Sequence, residues 1–250
     1  MNSLEQTIND IVTWLKQKVE EAGIQGLVVG VSGGLDSAVV AHLIKRACPD
    51  SSLGVIMPLK SNPQDMEDAQ KVMQSSGLKN MTIDLTETHQ VMFGHISEQL
   101  KEESSHEKNR LADANLRARL RMSTLYTVAN HYNYLVVGTD NASEWYTGYF
   151  TKYGDGGVDI QPIIDFTKGE VREMATYLGV PETIVQKKPS ADLWEGQTDE
   201  AEMGTSYDAI DAYIKGEPVN ETDKALIEKM HRATRHKRQP LPKYHRKTLY

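Results

Sequence analysis

The stretch "GLVVGVSGGLDSAVVAHLIK", residues 26 to 45, constrains the fold more than any other. An apolar run over 27–31 stops at Ser32, Gly33 and Gly34, and a helical pattern over 36–47 starts at once. The same succession of strand and helix recurs downstream. "SLGVIMP" (52–58) reads as a second strand, and the helix after it is capped by Asn62, opened by Pro63 and closed near Gly77. "MTIDL" (81–85) predicts a third strand and a helix over about 86–102, then a polar loop over 102–109. A long helix over about 110–131 feeds the strand "YLVVGT" (134–139). Upstream of all these, Ser3 caps a helix whose Leu4, Ile8, Ile11, Leu15 and Val19 share one face before Gly23 ends it.

Beyond 139 the pattern thins. Residues 140–161 hold four glycines and no helical period, so a long loop is expected, with a second irregular stretch from Pro189 to Gly204. Thr167 and Glu170 form a capping box for a helix over 168–178, and two further helices are expected at 206–215 and about 221–236. Alternating strands and helices predict an α/β fold, a parallel β-sheet flanked by helices on both faces, built as one domain over 1–250. Such sheets bind ligands outside the carboxyl ends of their strands, where strand order reverses. The polar, glycine-rich loops after Val31 and Thr139 both start at strand ends, which points to an enzyme.

Composition narrows the partners. No apolar run is long enough to span a bilayer, and "MNSLEQTIND" has no basic segment leading an apolar one, so neither a membrane span nor a signal peptide is expected. The single cysteine, Cys48, excludes an internal disulfide and a multi-cysteine metal site, and fits the reducing cytoplasm. A net charge of −7 argues against a nucleic-acid coat. The basic end "KMHRATRHKRQPLPKYHRK" (229–247) leaves three readings open: a nucleic-acid arm, a solvated tail, or cations that reach an anionic substrate.

Gly30-Val31-Ser32-Gly33-Gly34 fits G-x-S-x-G, the turn that presents a nucleophilic serine. In that fold several strands precede the nucleophile and an earlier loop supplies the oxyanion hole, whereas only one helix and one strand precede Ser32. No G-x-x-x-x-G-K-[ST] loop occurs, and Ser32 stands where a dinucleotide fingerprint needs its second glycine. A tight turn without a ligand would account for the glycines but not for "LDS". Glycines, main-chain amides and a helix start suit a phosphate, and Ser32 and Ser37 add hydroxyls. Asp36 would repel a polyphosphate unless Mg²⁺ sat between them, so the set Gly30, Val31, Ser32, Gly33, Gly34, Leu35, Asp36 and Ser37 predicts an ATP–Mg²⁺ site.

S-G-G-x-D-S after a first strand resembles the pyrophosphatase loop of enzymes that split ATP between its α and β phosphates. With "NLRAR" (115–119), "GTDNASEWYTGYFTKYGDGGVDIQPI" (138–163), "KGEV" (168–171), "PSADLWEGQTDE" (189–200) and "RHK" (235–237), nearly the whole chain resembles the NAD synthetase family. The resemblance implies a Rossmann-like three-layer fold of the adenine-nucleotide α-hydrolase type and an AMP-forming ligase. Deamido-NAD would be adenylated by ATP and then amidated by ammonia. It also implies ATP contacts from Thr139, Lys168 and Ser190, a metal held by Asp36 and Glu144, and deamido-NAD contacts from Arg119, Lys152, Asp159, His236 and Lys237. Lys168 opens a helix, where a cation is disfavoured unless an anion lies near. Asp155, in "GDGG", is the candidate base for ammonium, with a plain turn aspartate as the alternative. Trp145, Tyr146, Tyr149, Phe150 and Tyr153 are expected mainly to anchor their loop. The chain leaves no room for a glutaminase domain, so free ammonia is the expected donor. The family implies a homodimer, with the first helix and helix 110–131 as candidate faces. The rivals are another pyrophosphatase-loop ligase such as a GMP synthetase subunit, a tRNA-modifying module, and a non-catalytic nucleotide binder.

Overall fold

A computed structural model describes residues 3–100, 106–190 and 196–246, without the side chains of residues 106 and 107. Residues 102–105 of the expected polar loop and 191–195 of the "PSADLWEGQTDE" motif therefore lie outside the described residues. In chain order the elements are α1 Leu4–Ala22, β1 Gly26–Gly30, α2 Leu35–Ala47, β2 Ser52–Ile56, α3 Pro63–Ser76, β3 Lys79–Thr82, α4 Thr86–Gln99, α5 His106–Tyr132 and β4 Tyr134–Val136. Then follow α6 Ala142–Thr147, α7 Lys168–Leu178, α8 Glu182–Val185, α9 Asp199–Met203, α10 Tyr207–Ile214, α11 Glu221–Ala233 and α12 Arg235–Arg238.

The four strands are parallel in the order β3-β2-β1-β4. From β1 the chain moves outward through β2 to β3, then returns to the other side of β1 as β4. Strand order therefore reverses between β1 and β4, and the loops that follow these two strands face each other across the crevice. Period-2 alternation splits the core. Leu27 and Val29 pack with α1, α2 and α7 on one face, while Val28, Val55 and Val136 pack with Val128 and Ala129 of α5 on the other. Full burial of each such side chain contributes about 1.5–3 kcal/mol. α2 lies between the sheet and α1, α3 and α7, which is why it is apolar nearly all round. Among the described residues, no helix is long and apolar enough to cross a membrane.

Helix ends follow their capping residues closely. Ser3 accepts from Gln6 N, and Gly23 takes φ 64° at the end of α1. The loop expected over 140–161 is not irregular throughout: it contains α6. Asn141 and Glu144 close a reciprocal capping box, and Gly148 stops the helix in the left-handed region at φ 71°, so six residues suffice without a full apolar period. α5 starts four residues earlier than expected, at His106. β4 is three residues shorter, because the chain past Val136 bridges to Ile160 through Val137 instead. The third strand lies at 79–82 rather than 81–85, α9 occupies part of the stretch expected to be irregular, and Thr234 divides the last helix into α11 and α12.

Candidate active site

The loop after β1 is shaped by its own side chains. Val31 N donates to Val55 O at 2.9 Å and keeps the loop on the sheet. Ser32 N donates to Ser37 Oγ at 3.3 Å, Gly34 N to Ser32 Oγ at 3.2 Å, and Ser37 Oγ to Gly34 O at 3.0 Å. The two hydroxyls lie 3.1 Å apart. Among the described residues no histidine contacts the Ser32 hydroxyl, so it serves the loop and not a catalytic triad. Gly33 sits at φ +84°, pressed against α3. Gly34 caps α2 without a side-chain hydrogen bond, which leaves the first-turn amides facing a cavity of about 440 Å³.

The loop after β4 forms the opposite wall. Asn141, fully buried, accepts from Ser143 N and Glu144 N at 3.0 Å each and donates through Nδ2 to Asp36 Oδ1 at 2.8 Å. One side chain thus caps α6 and ties it to α2 at Asp36, 105 residues earlier. Thr139 and Glu144 line the cavity beside it.

Lys168, the first residue of α7, joins both walls. Its Nζ donates to Asp36 Oδ2 at 2.5 Å and Glu144 Oε1 at 3.1 Å, and lies 4.8 Å from the centre of the Tyr207 ring. A cation at a helix start is unfavourable, and the structure compensates twice. Asp211 of α10 meets that helix end, accepting from Gly169 N at 2.8 Å and from Lys168 N at 3.3 Å, and Ser143 Oγ also donates to it. Burial by itself would lower the Lys168 ammonium, but Asp36 and Glu144 outweigh it and hold the group above the ordinary lysine value. Glu144 is pushed up to about 7 by burial, against the pull of Lys168. Tyr207 OH lies 3.2 Å from Glu144 Oε1 and 3.0 Å from Asp199 Oδ2, fixing the orientation of the carboxylate.

Gly30 to Ser37 (with Gly33 directed at α3), Thr139, Glu144, Lys168 and Ser190 are gathered around one cavity. Ser190 Oγ donates to Gln197 O at 2.9 Å. Asp155 lies on the same wall with one side open. Protein crowded round the rest of it pushes its carboxyl above the ordinary aspartate value, with hydrogen bonds from Thr151 N opposing. Lys237 also faces the cavity, its ammonium lowered by burial, and donates to Gly148 O at 2.7 Å and to Phe150 O. Arg119, Lys152, Asp159 and His236 lie outside the cavity lining. Arg119 donates to Lys152 O at 3.3 Å and Lys152 Nζ to His236 O at 2.8 Å, forming a chain that ends beside Lys237. Asp159 accepts from Val136 N at 2.8 Å and Tyr126 OH at 2.9 Å. The basic end is folded back: Thr234 Oγ1 donates to Thr147 O at 3.0 Å and Arg238 to Trp145 O at 3.2 Å. Trp145 stacks on Phe150 and Tyr146 on His231, whereas Tyr153 is exposed.

An NAD synthase family model matches residues 7–241. The chain belongs to the NAD synthase family. An NH(3)-dependent NAD(+) synthetase of Alkaliphilus metalliredigens is 53% identical over 239 residues, 94% of this chain and 97% of that one. One from Alkaliphilus oremlandii is 53% identical over 245 residues, 96% and 98% of the two chains. Among solved structures, an NMN synthetase from Francisella tularensis superposes with a TM-score of 0.91 at 36% identity, covering 98% of this chain and 99% of that one. NAD synthases are AMP-forming ligases, and in this chain the cavity lies at the β1/β4 reversal, where open α/β sheets bind their ligands.

Asn141, Tyr207, Asp199 and Asp211 carry weight in the site that sequence reasoning did not assign them. Asn141 had a signal, since N-A-S-E at 141–144 is a capping pattern. Asp199 lies within the "PSADLWEGQTDE" stretch without a role given to it there, and Tyr207 and Asp211 act across the chain with no local signal.

Proposed function

We propose that the chain converts deamido-NAD to NAD with ammonia and ATP, releasing AMP and pyrophosphate. The observation that carries this reading is the junction of Asp36, Lys168 and Glu144 at the mouth of an open helix N-terminus. The relatives are named NH(3)-dependent NAD(+) synthetases, and the chain spans 97% and 98% of their lengths, which supports NAD as the product and free ammonia as the nitrogen donor.

In the first step the substrate carboxylate attacks the α-phosphorus of ATP and pyrophosphate leaves. Main-chain amides of the Ser32–Ser37 loop, with Thr139 and Ser190, would hold the triphosphate in line, and the Lys168 ammonium would offset charge growing on the leaving pyrophosphate. The residues fit a Mg²⁺ ion. Asp36 and Glu144 already point at one cation, the Lys168 ammonium, and Mg²⁺ typically takes one or two carboxylates plus phosphate oxygens. Bound there, it would neutralise phosphate charge. In the second step ammonia attacks the adenylated carbonyl and AMP leaves. Arg119, Lys152, Asp159, His236 and Lys237 would position the dinucleotide. A homodimer is the proposed assembly and the cytoplasm the proposed location, with no nucleic-acid or membrane partner.

Purified protein given ATP, Mg²⁺, ammonium and deamido-NAD is expected to yield NAD, AMP and pyrophosphate in equal amounts. Release of ADP, or no NAD, sinks the reading, and glutamine serving as well as ammonium overturns the nitrogen source. Nicotinate mononucleotide belongs in a parallel arm, because the Francisella relative is named an NMN synthetase; preference for it would reassign the substrate.

Asp155 is proposed to take the proton from ammonium. Asp155→Asn should keep the adenylation step, read as exchange of labelled pyrophosphate into ATP. The amidation rate at low ammonium should fall about a hundredfold. An unchanged rate and ammonium dependence would return Asp155 to a turn residue.

A further inference from the structure

A second lysine on the cavity wall is held as Lys168 is, between two carboxylates. Lys187 Nζ lies 2.5 Å from Asp65 Oδ1 and 2.7 Å from Asp68 Oδ2, both on α3. It begins the segment Lys187–Ser190 that lines the cavity together with Ser32, Gly34 and Asp65. Gly33, the tip of the phosphate loop, rests on the same turn of α3: a Cβ there would come within 2.5 Å of Asp65 O and 3.0 Å of Asp68 Cβ. The lysine and the loop tip are therefore neighbours on one helix, although more than 150 residues separate them in sequence.

Of the two carboxylates, Asp68 does not depend on Lys187 alone. Asp68, whose side chain is 4% exposed, also accepts from Lys71 at 2.9 Å and from Gln64 at 3.1 Å. Asp65 is the more open of the two, at 19%. If Lys187 left, Asp68 would keep two donors and Asp65, partly exposed, would turn to water. That lowers the cost of moving the ammonium a short way towards an incoming anion. The side chain is 27% exposed and has a flexible stem, which makes that movement available.

Building on the ATP reading of the cavity, we propose that Lys187 is a phosphate-binding residue for ATP, stored on Asp65 and Asp68 until the polyphosphate competes for it. It would supply, from the α3 side, a cation that the phosphate loop itself lacks. That loop, residues 30–37, contains hydroxyls, amides and one carboxylate but no basic residue.

Equilibrium binding of ATP and of AMP to the whole protein tests this, with the thermal midpoint recorded for every variant. Lys187→Met should weaken ATP roughly tenfold, leave AMP nearly unchanged and leave the KM for deamido-NAD unchanged. Lys187→Arg should restore most of the ATP affinity, and Asp65→Asn should bind ATP as well as or better than the parent. If Lys187→Met or, should that variant be unstable, Lys187→Gln binds ATP normally, the proposal is overturned. It is also overturned if Asp65→Asn weakens ATP as much as loss of the lysine does, because the ion pair would then be only a brace. Failure of the parent protein to make NAD while it binds ATP would remove the proposed function and leave this test intact.

Discussion

Lys168→Met is expected to abolish NAD formation and to lower the stability of the free protein at the same time. The lysine side chain is 4% exposed and is the shared partner of Asp36 and Glu144, which are 15% and 14% exposed. Removing one member of a buried ion pair leaves its partners uncompensated and costs about 3–5 kcal/mol, a large part of a typical domain's stability of about 5–15 kcal/mol. Water entering from the cavity softens the penalty, so a loss near about 3 kcal/mol is expected. The rate should fall by about a thousandfold, as for loss of a main charge-stabilising group. Calorimetry and an AMP assay read the two effects separately. A methionine variant with the parental midpoint and more than a tenth of its rate would remove Lys168 from both roles. Mg²⁺ supplies a further check, since an ion accepted by Asp36 and Glu144 should raise the midpoint of this variant more than that of the parent.

Gly33→Ala should be nearly as damaging, for a geometric reason. The residue sits at φ +84°, and an added Cβ would lie 2.5 Å from Asp65 O and 2.8 Å from Ala69 N. Both are main-chain atoms of α3, so no side chain can swing aside. Alanine in the left-handed region costs about 1 kcal/mol and the overpacking about 1–3 kcal/mol more. A chain of this size should lose about 5–15 °C in its thermal midpoint, and ATP binding should weaken because the loop tip is lifted from α3. Gly34→Ala is the matched control. Gly34 has φ −88°, and its added Cβ would meet only Ser32 Oγ, at 3.3 Å. Equal damage from both substitutions would contradict the packing explanation.

What could be read from the sequence was local. The strand-to-helix turn at 30–37 announces itself, because the glycines, hydroxyls and carboxylate that build it are contiguous. Parallel topology followed from the alternation of elements, and the polar loops after β1 and β4 did face each other. α6 was hidden since six residues cannot display a helical period, although its capping pair was visible. The meeting of Lys168 with Asp36 joins positions 132 apart, and the role of Asp211 at the start of α7 depends on how α10 packs, which no local pattern encodes. Resemblance located the lysine, and the structure supplied the reason a cation can stand at that helix end.

The order in which these parts leave the ribosome decides when the two walls of the cavity can meet. The loop at 30–37 is made before Asn141, Glu144 and Lys168, which follow more than 100 residues later. A chain made only that far holds one wall of the cavity and lacks the opposite one. Contacts so distant in sequence form late in folding. A copy truncated before Lys168 therefore lacks the cation that joins Asp36 to Glu144 and so the two walls of the cavity.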